Sequence, residues 1–265
     1  MLIEVIGIII IVCLVAIFLT GIFLFIRMNK TDLYNLFGLA AFFIVYGLQL
    51  LGEFLFPIIV NAVLAQMCII FLLFFIKNTF YKESLRGFPL IILIFVLLKA
   101  IDFFLRLEYN FQIPQETDLT KSEIQIYYIF VTIAFLEVAP TLTWLSYSSF
   151  NMYYNLKRYE IEPWVKIRYL LIGFSSLMLV LSNISSFFLP YQGGYESVNP
   201  IHIVFIAISF IIFSFGNLIA WLMPKKLKTY FNRNYKPKVP DDLSEKELME
   251  KIKLQLSEET INGDH

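Results

Sequence analysis

Histidine is almost missing from this chain, which holds two, His202 and the terminal His265. That scarcity removes the commonest general acid and base and the commonest metal ligand, so no metal site is expected. Cysteine is equally rare. Cys13 and Cys68 both lie inside apolar runs, without a CxxC spacing or partner histidines, and read as small buried hydrophobes that specify no redox compartment. No excess of either charge exists, with 21 basic and 21 acidic residues and a formal net charge of +0. The overall balance therefore points to no nucleic-acid partner. HExxH, paired intramembrane aspartates, GxSG with a histidine and HxxxH clusters are all missing, so no catalytic residue or cofactor is assigned and enzyme is the weakest functional class. The last apolar segment carries no lysine on which a retinal could hang.

What the chain does have is apolar surface. Of its 265 residues 58% are hydrophobic, 17% are aromatic and 16% are charged, and the mean hydropathy is +0.72. One soluble core cannot bury that much, so lipid is the expected surrounding. A bilayer core of about 30 Å requires about 20 apolar residues per helix. Seven segments meet the requirement, at approximately 2–27, 33–54, 57–77, 87–107, 124–153, 165–189 and 200–223. The expected fold is an all-α integral membrane protein, a seven-transmembrane helix bundle over residues 1–224. The first segment is too long for a signal-peptide core and has no basic residues before it, so it reads as a retained span. Pro57 in GEFLFP separates the second and third spans, which would otherwise merge into one helix longer than a bilayer needs.

Lysine and arginine gather in short loops on the cytoplasmic side. Alternate connections carry Arg27 and Lys30; Lys77, Lys82 and Arg86; Lys157, Arg158, Lys166 and Arg168; then the cluster from Lys225 to Lys238. The opposite connections hold Arg106 and Lys121 among several acids. The N-terminus is expected outside and the C-terminus inside, in a multi-pass cell membrane, with a prokaryotic plasma membrane the expected setting. Trp164, Trp221 and Tyr153, Tyr154 and Tyr159 fall near the inner helix ends, where such rings prefer the headgroup level. Residues 225–265 read as a basic juxtamembrane segment attracted to anionic lipid, followed by a short cytoplasmic helix. A Ser244/Glu247 capping box opens that helix, and Leu248, Ile252 and Leu256 form one apolar stripe that would dock on a partner such as a cytoplasmic signalling protein, on the membrane surface or on its copy in a dimer, the alternative being a solvated, partly helical tail.

Within LLKAIDFFLRLEYN, Lys99, Asp102 and Arg106 interrupt an apolar run at spacings that share one helix face. At 1.5 Å per residue, Lys99 lies about 18 Å into its span, past the midplane. Intramembrane charge is expensive and marks a functional site unless it is a structural pair. The triplet leaves one positive charge over. Glu137 on the fifth span lies at similar depth and is the expected counter-ion, with Pro140 three residues on expected to kink that helix. Glu53, Asn61, Asn183 and His202 fall in the same outer half. Together these residues form a candidate outward cavity for a small polar ligand or a proton, and the expected function is a seven-helix sensor or receptor-like protein. The alternative is a small-solute transporter built as two three-helix repeats around a linker helix, prompted by EFLFP and SFFLP at the ends of the second and sixth spans.

Overall fold

The computed structural model describes residues 2–31, 33–81, 86–109, 111, 113, 119–159, 161–189 and 198–235; side chains at 2–6, 53, 54 and 58 are outside that description. All regular structure among these residues is helical: α1 (Leu2–Thr31), α2 (Leu36–Leu55), α3 (Ile58–Phe80), α4 (Phe88–Tyr109), α5 (Lys121–Lys157), α6 (Pro163–Ser185), α7 (Pro200–Leu222) and α8 (Lys225–Asn232), with a 3-10 turn at Ser186–Phe188 after α6. Six of them, α1 and α3 to α7, are long and apolar enough to cross a membrane, while Leu36–Gly52 of α2 is a shorter apolar stretch. Length and composition are those of a helical multi-pass membrane protein. Leu248, Ile252 and Leu256 lie outside the described residues.

Helix boundaries follow local chemistry. Pro57, with no N–H to donate, separates α2 from α3 as expected. Pro163 and Pro200 occupy the first turns of α6 and α7, where the missing N–H costs nothing. At Met223 the backbone turns left-handed, with φ 33°, and Pro224 follows, so α7 stops and α8 starts in a new direction. Four expectations are corrected here. α5 starts at Lys121 rather than 124, because Thr120 and Glu123 form a reciprocal capping box: Thr120 Oγ1 accepts from Glu123 N at 3.4 Å and Glu123 Oε2 accepts from Thr120 N at 2.8 Å. That helix also runs to Lys157 rather than 153, continuous through Pro140. The sixth span ends its α-helix at Ser185 rather than 189, and the first part of the basic segment after α7 is helical, with Leu227 and Phe231 of α8 packed on the cluster around Trp164, Tyr169 and Met223.

The helices pack in sequence order, and α7 returns to lie against α1, closing a ring. Two glycines allow the closest approaches. A Cβ on Gly38 would fall 2.8 Å from Phe71 O, and one on Gly21 would fall 3.2 Å from Ala40 O, so α2 meets α3 and α1 backbone to backbone. Leu24, Leu39, Phe43, Leu72, Phe75 and Phe213 fill the centre. Since α3 also touches α5 directly, α4 sits outside the ring on their seam. Its buried residues are Phe88, Phe95, Asp102 and Leu105, a narrow stripe near a seven-residue repeat. An aspartate lies in that stripe.

Candidate functional site

Asp102 is 0% exposed, and charge at that position requires partners. It has two from its own helix. Lys99, one turn earlier, donates from Nζ to Asp102 Oδ2 at 2.6 Å. Arg106, one turn later, donates from Nε to Oδ1 at 3.2 Å and Oδ2 at 3.1 Å. The spacings that put the three on one face therefore deliver contacts. The surplus positive charge is met across the seam: Lys99 Nζ also donates to Glu137 Oε2 on α5 at 3.0 Å. Lys99 thus bridges two helices, and two cations and two anions close a neutral cluster. The Arg106 guanidinium also lies 4.8 Å from the Phe130 ring centroid, a cation–π contact that holds its position.

One acceptor is left over. Glu137 Oε1 is buried and has no hydrogen-bond partner among the described residues. One turn further on, Pro140 supplies no N–H, so the carbonyl of Leu136 lacks its usual intrahelical donor. The same helix thus carries a buried carboxylate oxygen without a partner and, beside it in sequence, a carbonyl without its helical donor. Chemically the cluster can take a proton or a hydrogen-bond donor at Oε1, and either changes how strongly Glu137 holds Lys99. Among the described residues, no three His, Cys, Asp or Glu side chains come together to hold a metal ion.

The other expected members are placed elsewhere. Asn183 Nδ2 donates to Leu179 O of its own helix at 2.8 Å. His202 stacks on Phe188, with centroids 6.3 Å apart. Asn61 lies at the α2–α3 turn, where its Oδ1 is 2.9 Å from the Cβ position of Gly52 and has no hydrogen-bond partner among the described residues. The Glu53 side chain lies outside the description. The cluster is thus four residues, Lys99, Asp102, Arg106 and Glu137.

A second polar constellation, at the basic end of the bundle, was invisible as a group in the sequence. Arg168 reads there as a loop-side cation, yet it is only 5% exposed, its guanidinium 4.6 Å from the Trp164 ring centroid and 5.6 Å from that of Trp221. The available signal was Trp164 one helical turn before Arg168. Lys228 of α8 covers Trp164 at 4.2 Å, and the Trp164 indole N–H donates to Glu162. Burial, then the Arg168 and Arg27 charges, holds the Lys228 ammonium below the ordinary lysine range despite Glu162 nearby. Arg27 Nη1 donates to Trp221 O at 2.9 Å. Buried hydroxyls also line the α5–α6–α7 contacts. Ser146 donates to Gly173 O at 2.8 Å, and Asn217 Nδ2 donates to Ser175 Oγ at 3.0 Å. These small residues let helices approach and bond within an apolar surrounding.

No protein-family model, curated protein or solved structure matches the chain.

Proposed function

We propose that this chain is a seven-helix sensor or receptor-like membrane protein, N-terminus outside and C-terminus cytoplasmic, in which the Lys99–Glu137 bridge is the element that responds to a small polar ligand or a proton. The observation that carries the reading is Lys99 holding carboxylates of two helices at once while Glu137 Oε1 stays open. Intramembrane ionisable groups of this kind mark binding or relay positions by default. Loss of the bridge frees α4, which is attached along one narrow stripe, and alters α5, which continues to Lys157 at the basic end. A cytoplasmic partner would read the change there.

Two features support seven crossings. α2 lies between α1 and α3, opposed to both, with Gly38 against Phe71 and Phe75 and Gly21 against Ala40 and Ile44. Its 20 residues extend about 30 Å, a bilayer core. Arg27 meets Trp221, so the last turns of α1 and α7 share an end of the bundle with Arg168 and α8. That end is cytoplasmic by the rule that positive charge stays inside.

The experiment is thermal unfolding of the detergent-purified protein against a panel of small polar metabolites from about pH 5 to 8, beside Lys99→Met and Glu137→Gln. A compound that binds the folded state raises the midpoint with its occupancy. Stabilisation of the wild type and of neither variant is the expected result; equal stabilisation of all three would remove the cluster from the site. The transporter reading keeps one observation in its favour, since α4 lies outside the ring between α1–α3 and α5–α7, where a linker between two triplets would sit. Flux in proteoliposomes separates the two, because a sensor moves no solute.

A further inference from the structure

At the basic end, the last turns of α1, α3 and α7 and the first turns of α2 and α6 surround a cavity of about 60 Å³. Its polar lining is Arg27, Asn35, Thr79, Arg168, Tyr169 and Trp221. Apart from the Asn35 amide oxygen, these groups present donors or hydroxyls, and no carboxylate is among them. Two are guanidiniums. Trp221, 6% exposed, has a buried indole N–H without a hydrogen-bond partner among the described residues, and Thr79 Oγ1 is buried in the same condition. An indole nitrogen can only donate, so it requires an acceptor that the described chain does not supply. Arg27 is held by its bond to Trp221 O and Arg168 by the Trp164 and Trp221 rings, which fixes both guanidiniums before any ligand arrives.

We propose that this cavity binds a phosphate group through Arg27, Arg168, Thr79 and the Trp221 N–H. Planar guanidiniums match phosphate oxygens in pairs, and a hydroxyl and an indole N–H supply further donors. A volume of about 60 Å³ takes about four water-sized groups, the scale of one phosphoryl head. Lys228 lies beyond the cavity wall, over the Trp164 ring, and adds a third cation near the two guanidiniums. Trp164, Trp221 and Lys228 are residues of the headgroup level, so the phosphate has two sources, the head of an anionic lipid or a soluble phosphate compound. The inference is independent of the α4–α5 cluster.

The test uses the full-length protein and the unfolding midpoint as readout. Inorganic phosphate is titrated in detergent at constant ionic strength against chloride, and in parallel the protein is placed in nanodiscs of phosphatidylcholine with and without phosphatidic acid. A saturable rise in one arm supports the site and names the source, lipid if only phosphatidic acid acts and soluble if only phosphate does. Trp221→Phe keeps an aromatic ring and removes the N–H; the void left by the smaller ring lowers its basal midpoint, and, read as the phosphate-dependent rise from that lower baseline, binding weakens about tenfold, one hydrogen bond to a charged group. Arg168→Gln abolishes the rise, and Lys99→Met leaves it in place. If neither arm shifts the midpoint, or if Trp221→Phe binds as tightly as the wild type, the proposal is wrong.

Discussion

Lys99 is the residue on which the α4–α5 seam depends, since it is within 3.0 Å of carboxylates on both helices. Lys99→Met keeps its length and removes its charge, leaving Glu137 buried without a cation and Asp102 with Arg106 alone. The expected loss is about 3 kcal/mol, the usual cost of breaking a buried pair from one side. Lys99→Met with Glu137→Gln should cost less than the sum of the singles, with a coupling of about 1–2 kcal/mol. Unfolding midpoints of the three variants measure this, and strict additivity would show that the two side chains do not interact. LLKAIDFFLRLEYN foretold the cluster because helical spacing alone aligns 99, 102 and 106, and because unpaired charge in lipid demands a partner. Depth along a span says nothing of direction around it, and the contacts of Asn183 and His202 are with Leu179 O and the Phe188 ring rather than with the four charged residues.

At the scale of elements, α5 is the longest helix at 37 residues, and it carries Glu137 on a buried face and Pro140 on an exposed one. The ring of Pro140 thus faces the surroundings of the bundle, and Pro140→Ala returns an N–H to the Leu136 carbonyl without filling any packed space. We expect it to raise the unfolding midpoint by the equivalent of about 1 kcal/mol, one net hydrogen bond. A fall in the midpoint would mean that the open carbonyl belongs to the folded state's own bonding. Helix ends were legible to within a few residues where proline or a capping pair marks them, as at Pro57, Pro163 and Pro200. They were missed at Lys121 because Thr120 and Glu123 lie in a polar stretch that hydropathy discards, although their spacing is a capping signature. α8 was hidden for a related reason. Its lysines suggested a juxtamembrane segment attracted to anionic lipid, whereas Leu227 and Phe231 find an apolar surface only after α6 and α7 have formed one.

For the whole molecule, the proposed orientation has a test of sidedness. Single cysteines at Ser122, at the start of α5, and at Lys226, in α8, should lie on opposite sides of the membrane, with Cys13 and Cys68 already buried and free. A membrane-impermeant thiol reagent added to intact cells is expected to label the cysteine at 122 and to spare that at 226, and inverted vesicles should reverse the pattern. Labelling of both from one side would break the alternation of spans and the proposed orientation with it.

The sequence by itself determined that the chain is helical and lipid-facing, where most spans lie and which ends carry positive charge, because hydropathy and charge act residue by residue along a known period. It also placed the Lys99–Asp102–Arg106 face and named Glu137 as its partner. Only the tertiary structure decided that α4 lies outside the ring, and that Arg27, Arg168 and Trp221, from three helices distant in sequence, surround one cavity. Pairwise packing and direction around each helix set those facts, and one-dimensional periodicity carries neither.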